Sequence, residues 1–280
     1  MEKPISELLE FSVINIDKPS GPTSFSVSDF VRKELGLKKT SHFGTLDPKV
    51  TGVLPIALGR GCKLTGFFLG HDKEYVGIMH VHKEISIEKL QEIINKNFLG
   101  KIMQKPPIKS KVKRVERERE IISFEILEQN SKDFLFKTKV QGGTYIRKLI
   151  DDLGKETGGA HMLELRRIQA GIFNEKDSHT LYELKEAVDE FKKGKQDKLK
   201  KMLVPGENAI KEIMPVIQIK EKAVRPLLTG KPLFKEDLAE KIQKFKEDDL
   251  IAVFFKEKFI EIAKISEKDS IFARPEFVFN

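Results

Sequence analysis

The sequence predicts an α+β protein in two parts, a large N-terminal domain and a small β-rich C-terminal module. Three observations predict it. Strand alternation and helix periodicity interleave along the first two hundred residues, as in EYVGIMHVH followed by SIEKLQEIINKNF. IISFEILEQNSKDFLFKTKVQ reads as two strands around a turn at Asn130–Asp133, which implies antiparallel pairing. A Lys-dense, weakly apolar break, DEFKKGKQDKLKK from Asp189 to Lys201, then separates a tail of about seventy residues, enough for a compact β module.

The elements follow in order. Residues 1–10 form a charged N-terminal segment. Phe11 to Ile16 reads as a short strand ending in a Pro/Gly/Ser loop. SFSVSDFVRKELGL reads as a helix, with Val27, Phe30, Val31 and Leu35 at helical spacing and Gly36 near its end. HFGTLDPKVTGVLPIAL reads as a loop dense in Gly and Pro between apolar residues. After the EYVGIMHVH strand, Ser86 caps the next helix. TYIRKLIDDLGKETG has helical apolar spacing. The predicted boundary falls at 212/213. The tail reads as a helix stopped by Gly230 and then strands, with DDLIAVFFKEKFIEIAKI a hairpin whose tip is Lys256–Lys258.

Composition narrows the partners. With 51 Lys and Arg against 43 Asp and Glu, the net charge is +8, which favours polyanions such as nucleic acid. The single cysteine, Cys62, excludes an internal disulfide and a Cys-based zinc site and fits a reducing, cytoplasmic compartment. No apolar run approaches membrane-spanning length, and the N-terminus lacks a signal-peptide core.

HFGTLDPKVTGVLP, His42 to Pro55, carries the chemistry. Pro48 biases Asp47 away from helical geometry, and Gly44 and Gly52 permit close approach of backbone or ligand. A carboxylate on such a loop serves as nucleophile, general base or metal ligand, whereas a lone Asp-Pro ordinarily starts a turn. The wider pattern decides. GTLDP with the following TGVLP, preceded by His42, resembles the catalytic loop of TruB- and dyskerin-type pseudouridine synthases. Further matches come in the family's order: DKPSGPTS (Asp17 to Ser24), KEYV (Lys73 to Val76), QKPPIKSKVKR (Gln104 to Arg114), GTYIRKL (Gly143 to Leu149) and GGAHMLELRR (Gly158 to Arg167), the last resembling the family's late helix and loop.

The resemblance implies a catalytic domain of pseudouridine-synthase type with a mixed, mostly antiparallel sheet, over residues 11–212. It implies that Asp47 is the nucleophile, attacking ribose C1′ or uracil C6, with no cofactor and no metal. Arg147 pairs with Asp47 and holds it ionised. Tyr75 stacks on the flipped base and helps remove the C5 proton; as a bare strand aromatic it is a core residue, and both roles are compatible. His42 supports the flipped nucleotide, Leu165 supplies an apolar wall, and Lys18 holds the loop, where otherwise it is a surface lysine in a turn. Residues 213–280 resemble a PUA domain, an RNA-binding β-barrel, with Lys222, Arg225 and Lys231 as phosphate contacts, and the resemblance implies that residues 1–10 pack on it.

Unstacking the target base costs a few kcal/mol, which a basic RNA-gripping surface offsets. Lys105, Lys109, Lys111, Lys113 and Arg114, continuing to Arg117 and Arg119, form one stripe; its Glu-interrupted half reads better as a solvated strand. His80 and His82 share one side of a strand but have no obvious third metal ligand. Lys49-Val50, IMHVHKE and GGAHMLELRR resemble the archaeal dyskerin-like branch, although Phe43 stands where that branch usually has Gly. The branch implies work on tRNA or rRNA inside an H/ACA ribonucleoprotein, with a guide RNA and small partner proteins. The alternatives are a stand-alone synthase for the TΨC-loop uridine of tRNA and a non-catalytic RNA-binding scaffold.

Overall fold

The computed structural model describes residues 3–106, 113, 115–240, 244–266 and 270–280. The chain divides into two compact units, Met1–Leu203 and Val204–Asn280.

The first unit carries strands β1 (Ser12–Lys18), β2 (Thr40–His42), β3 (Thr51–Leu58), β4 (Lys73–Val81), β5 (Gly100–Gln104), β6 (Arg117–Asn130), β7 (Asp133–Val140), β8 (Ala160–Ala170) and β9 (Phe173–Asn174). Its helices are α1 (Ile5–Glu10), α2 (Ser24–Glu34), α3 (Thr65–Leu69), α4 (Ile87–Asn97), α5 (Ile146–Thr157), α6 (Leu181–Lys192) and α7 (Asp197–Met202). β10 (Leu203–Pro205) lies where the chain divides. One sheet runs β1-β3-β8-β4-β7-β6-β5, with β2 on β3 and β9 on β8. Only β3–β8 is parallel along this path, so the sheet is mostly antiparallel, as expected.

β4 shows how sequence makes the sheet. Lys73, Tyr75, Gly77, Met79 and Val81 face inward and the residues between them are half-buried, the period of a pleated strand. Gly77 is required where Phe136 crosses: a Cβ there would lie 2.7 Å from its ring and 2.8 Å from the Glu164 carbonyl. α4 and α5 bury one stripe each, Leu90 and Ile94 on the first and Leu149, Ile150 and Leu153 on the second. Ser86 caps α4 by accepting from the Lys89 amide, as expected.

Three segments depart from the sequence reading. TGVLPIAL is a strand, β3, not loop; it is buried almost end to end, so it shows no alternation, and Gly52 and Pro55 disguise it further. GGAHMLELRR leads into strand β8 rather than a helix and loop, and register shifts between β4 and β8 break its period. The Lys-dense stretch is helical: α6 begins with a capping box from Thr180 and Glu183, and Ala187, Val188, Leu199 and Met202 bury their side chains in the first unit's core. Ile5 and Leu8 of α1 join that same core.

The second unit holds α8 (Gly206–Lys211), β11 (Val216–Gln218), α9 (Glu221–Leu228), β12 (Leu233–Phe234), β13 (Leu250–Phe255), β14 (Lys258–Ile265) and β15 (Ile271–Val278). Its five strands lie in the order β11-β13-β14-β15-β12. β13 and β14 form the expected hairpin, with Lys256 at φ 55 in its tip, and Gly230 at φ 83 follows the end of α9.

Candidate active site

The Asp47 loop leaves β2, turns, and re-enters the sheet as β3. Three side chains hold it from beneath. Lys18, at the end of β1, is 0% exposed and donates from Nζ to the carbonyls of Pro19 (2.8 Å), Pro48 (2.9 Å) and Val50 (2.9 Å). All three ammonium donors are thus spent on backbone, so Lys18 is a buried clamp on the turn after Asp47, not a surface lysine. Burial lowers its pKa, and the Asp47 charge opposes that shift. Ser24, at the start of α2, donates its hydroxyl to Leu46 O (2.9 Å) and accepts from Leu46 N (2.8 Å), pinning the residue before Asp47.

Arg167 is the third. Its Nε donates to Val53 O at 2.8 Å and its Nη2 to Gly44 O at 3.0 Å, tying the two ends of the loop together. It is fully buried and hydrogen-bonded to Tyr75; desolvation lowers its pKa and Tyr75 opposes that shift. Both glycines of the motif are explained here. At Gly52, φ is 100° and a Cβ would lie 2.1 Å from the Arg167 carbonyl; at Gly44, φ is 96° and a Cβ would crowd the guanidinium at 3.2 Å. Lys73 lies under the same loop, donating to Leu69 O and His71 O, and burial followed by the Arg167 charge pushes its pKa down to about 8.

Arg147 approaches from the first turn of α5, one hundred residues along the chain, and its Nη2 donates to Asp47 Oδ2. The helix start is fixed by Gln104, which accepts from the Tyr145 amide at 3.0 Å and donates to the Tyr145 carbonyl at 3.2 Å. Asp47 and Arg147 remain 56% and 60% exposed, so the pair sits at the open surface and not in a closed cavity.

The other expected site residues sort as follows. Tyr75, on the inward face of β4, is opposite Arg167 of β8, and Leu165 lies opposite Gly77 on that same face. Leu165 is partly buried against the core. His42, at the end of β2, contacts Thr45 Oγ1 at 3.1 Å; burial and then the Arg167 charge lower its pKa, so it is neutral at pH 7. Phe43, the departure from the branch pattern, is buried and stacks on Phe68 at 4.6 Å, with Phe173 alongside at 6.2 Å. That aromatic stack anchors the start of the loop. Lys105 and Lys113 are exposed; Lys109, Lys111 and Arg114 lie outside the described residues. Lys222 and Arg225 on α9 and Lys231 beyond it are exposed in the second unit.

Residues 32–146 match the profile of the "TruB family pseudouridylate synthase (N terminal domain)", and residues 147–211 that of the "tRNA pseudouridylate synthase B C-terminal domain". The chain belongs to the TruB family of pseudouridine synthases. It is 43% identical over 253 residues to the "Probable tRNA pseudouridine synthase B" of Nanoarchaeum equitans, covering 90% of this chain and 72% of that one. Among solved structures, a Cbf5–Nop10–Gar1 complex matches with a TM-score of 0.92 at 38% identity, covering 99% of this chain and 88% of that one. An H/ACA ribonucleoprotein bound to a substrate RNA containing 2′-deoxyuridine matches at 0.89 and 36% identity, with the same coverages.

In this synthase, sequence reasoning missed Ser24, Lys73, Gln104 and the clamping role of Arg167. Each lies inside or beside a quoted motif. Ser24, Gln104 and Arg167 carry no local signal, because each acts on backbone carbonyls or amides that only the fold brings near, whereas Lys73 bonds the nearby Leu69 and His71 carbonyls.

Proposed function

We propose that this synthase isomerises uridine in structured RNA with Asp47 as nucleophile. The observation that carries the reading is the Arg147–Asp47 pair, presented to solvent on a loop clamped from beneath. A charge-assisted hydrogen bond from a guanidinium is short and directional, and it aims the Asp47 carboxylate. The carboxylate engages the nucleoside, the N1–C1′ bond breaks, the uracil turns, and a C5–C1′ bond forms. The C5 proton leaves and N1 gains one, so atoms balance without an external donor. Tyr75 and Leu165 lie on one sheet face and supply the aromatic and apolar surfaces against which the flipped base rests. Neutral His42 offers a hydrogen bond without adding charge beside the nucleophile.

The likeness to Cbf5 in complexes containing Nop10 and Gar1 supports action within an H/ACA-type particle, where a guide RNA selects the uridine and small proteins place it. The tRNA pseudouridine synthase B names of the sequence relatives support a second reading, stand-alone modification of tRNA. We take residues 213–280 as a PUA-type RNA anchor, since the five-stranded sheet and exposed α9 cations fit it. The single cysteine fits a cytoplasmic enzyme. Purified chain mixed with a tRNA transcript, and separately with guide RNA, target RNA and partner proteins, tests both. Product with tRNA alone selects the stand-alone reading; product only in the reconstituted particle selects the guided one; product in neither refutes the activity.

A further inference from the structure

A second cluster of reactive side chains lies on the opposite face of the sheet. His80 and His82 project from β4 and the residue after it, and β8 brings His161 opposite His80. The ring centroids of His80 and His161 are 5.2 Å apart, those of His82 and His161 5.2 Å, and those of His80 and His82 5.9 Å. The third ligand that the sequence left missing is supplied by a strand eighty residues away.

We propose that His80, His82 and His161 form a binding site for a divalent transition-metal cation of the zinc class, separate from the reaction centre. Spacing carries the argument. The point equidistant from the three centroids lies about 3.2 Å from each, by the geometry of that triangle. A zinc-bound imidazole holds its centroid at about that distance, a bond of roughly 2.0–2.1 Å plus the ring radius. His82 Nε2 and His161 Nδ1 already face each other at 3.0 Å across a hydrogen bond. Two nitrogens on a tetrahedral zinc stand about 3.3 Å apart, so the cation would replace that shared proton with a few tenths of an ångström of opening. As placed, no group of three or more His, Cys, Asp or Glu side chains among the described residues could hold a metal ion, so the site requires the three rings to turn toward one another. Ring rotation at this half-exposed surface completes it.

Two further observations favour a built site. Asp133, the first residue of β7, contacts His80 Nδ1 at 2.6 Å. A carboxylate on one imidazole nitrogen fixes the tautomer and leaves Nε2 as the ligand atom, the usual support of a metal-bound histidine. Gly159, at φ 118, makes room for the His82 ring: a Cβ there would lie 2.2 Å from His82 Nδ1. Imidazoles suit zinc, copper and nickel, and a water would complete the coordination from solvent. Tyr75 and His80 point to opposite faces of β4 and stand about 17 Å apart along it, so the cation takes no part in uridine chemistry. Its effect is to staple β4, β8 and the β6–β7 hairpin together.

The test uses the full, untagged chain titrated with Zn²⁺ by calorimetry, and with Co²⁺ by visible absorption. One equivalent should bind, with cobalt bands of a four-coordinate site, and thermal unfolding should shift upward with Zn²⁺. His161→Gln and His82→Gln should each weaken binding at least tenfold and abolish the thermal shift, and Asp133→Asn should weaken it about tenfold. His179→Gln, outside the cluster, should change nothing. Absence of saturable one-to-one binding, or equal weakening in His161→Gln and His179→Gln, would overturn the site.

Discussion

Lys18 donates from Nζ to the Pro48 carbonyl at 2.9 Å, across thirty residues of sequence. The end of β1 thereby grips the residue that follows Asp47. Lys18→Met removes a donor shared by three carbonyls, and a buried polar group left unpaired costs about 1–3 kcal/mol. The variant should lose stability on that scale and lose turnover at least tenfold with little change in RNA affinity. Thermal unfolding and single-turnover kinetics measure both. A Lys18→Met enzyme with unaltered single-turnover rate would show that the clamp is dispensable.

Arg147→Lys keeps the charge but loses the planar fork that reaches Asp47. Turnover at saturating RNA should fall by one to two orders of magnitude, on the scale of a misplaced catalytic group. RNA affinity should hold, because the Arg147–Asp47 bond is internal to the enzyme. An equal loss in affinity and rate would instead assign Arg147 to RNA binding.

The sequence singled out Asp47, Tyr75 and Arg147 through the ordered motifs around them, and the structure brings Arg147 onto Asp47 and Tyr75 opposite Arg167. Arg167 and Ser24 act by closing backbone hydrogen bonds across the fold, and any buried donor of the right length looks alike in one dimension. Strand β4 was visible because one face is buried, whereas β3, buried on both, was hidden behind Gly52 and Pro55. The third histidine of the far-face cluster was invisible because register, not sequence distance, sets His161 beside His80.

Glu261 makes the C-terminal unit sensitive to alkali. It is 0% exposed in β14, and neither carboxyl oxygen has a hydrogen-bond partner among the described residues; burial pushes its pKa up to about 8. In the unfolded chain the group returns to about 4.3. Between those values the folded state keeps a proton that the unfolded state has released. Stability therefore falls as pH rises through that window, by at most about 1.4 kcal/mol per pH unit. Glu261→Gln should flatten this decline, giving a higher melting temperature than wild type near pH 9 and little difference near pH 4. Parallel melting profiles for the two proteins across that range would show that Glu261 does not titrate as described.

Lys222, Arg225 and Lys231 line the exposed side of α9 and the turn beyond it. If they neutralise RNA phosphates, replacing all three with Gln should weaken RNA binding. The plot of log affinity against log salt should also flatten, by roughly 0.7–0.9 for each phosphate no longer neutralised. Turnover at saturating RNA should be preserved, since every proposed catalytic residue lies in the first unit. An unchanged salt slope would remove these residues from the RNA interface.

The central claim rests on one carboxylate. Asp47→Asn keeps the size of the side chain and a hydrogen-bond acceptor for Arg147 but loses the nucleophile. The direct measurement is pseudouridine formed at a mapped uridine under single-turnover conditions, alongside RNA affinity for the same variant. Product should fall below detection while affinity stays within a fewfold of wild type. Appreciable product from the Asn enzyme, confirmed free of deamidation by mass spectrometry, would contradict Asp47 as the nucleophile.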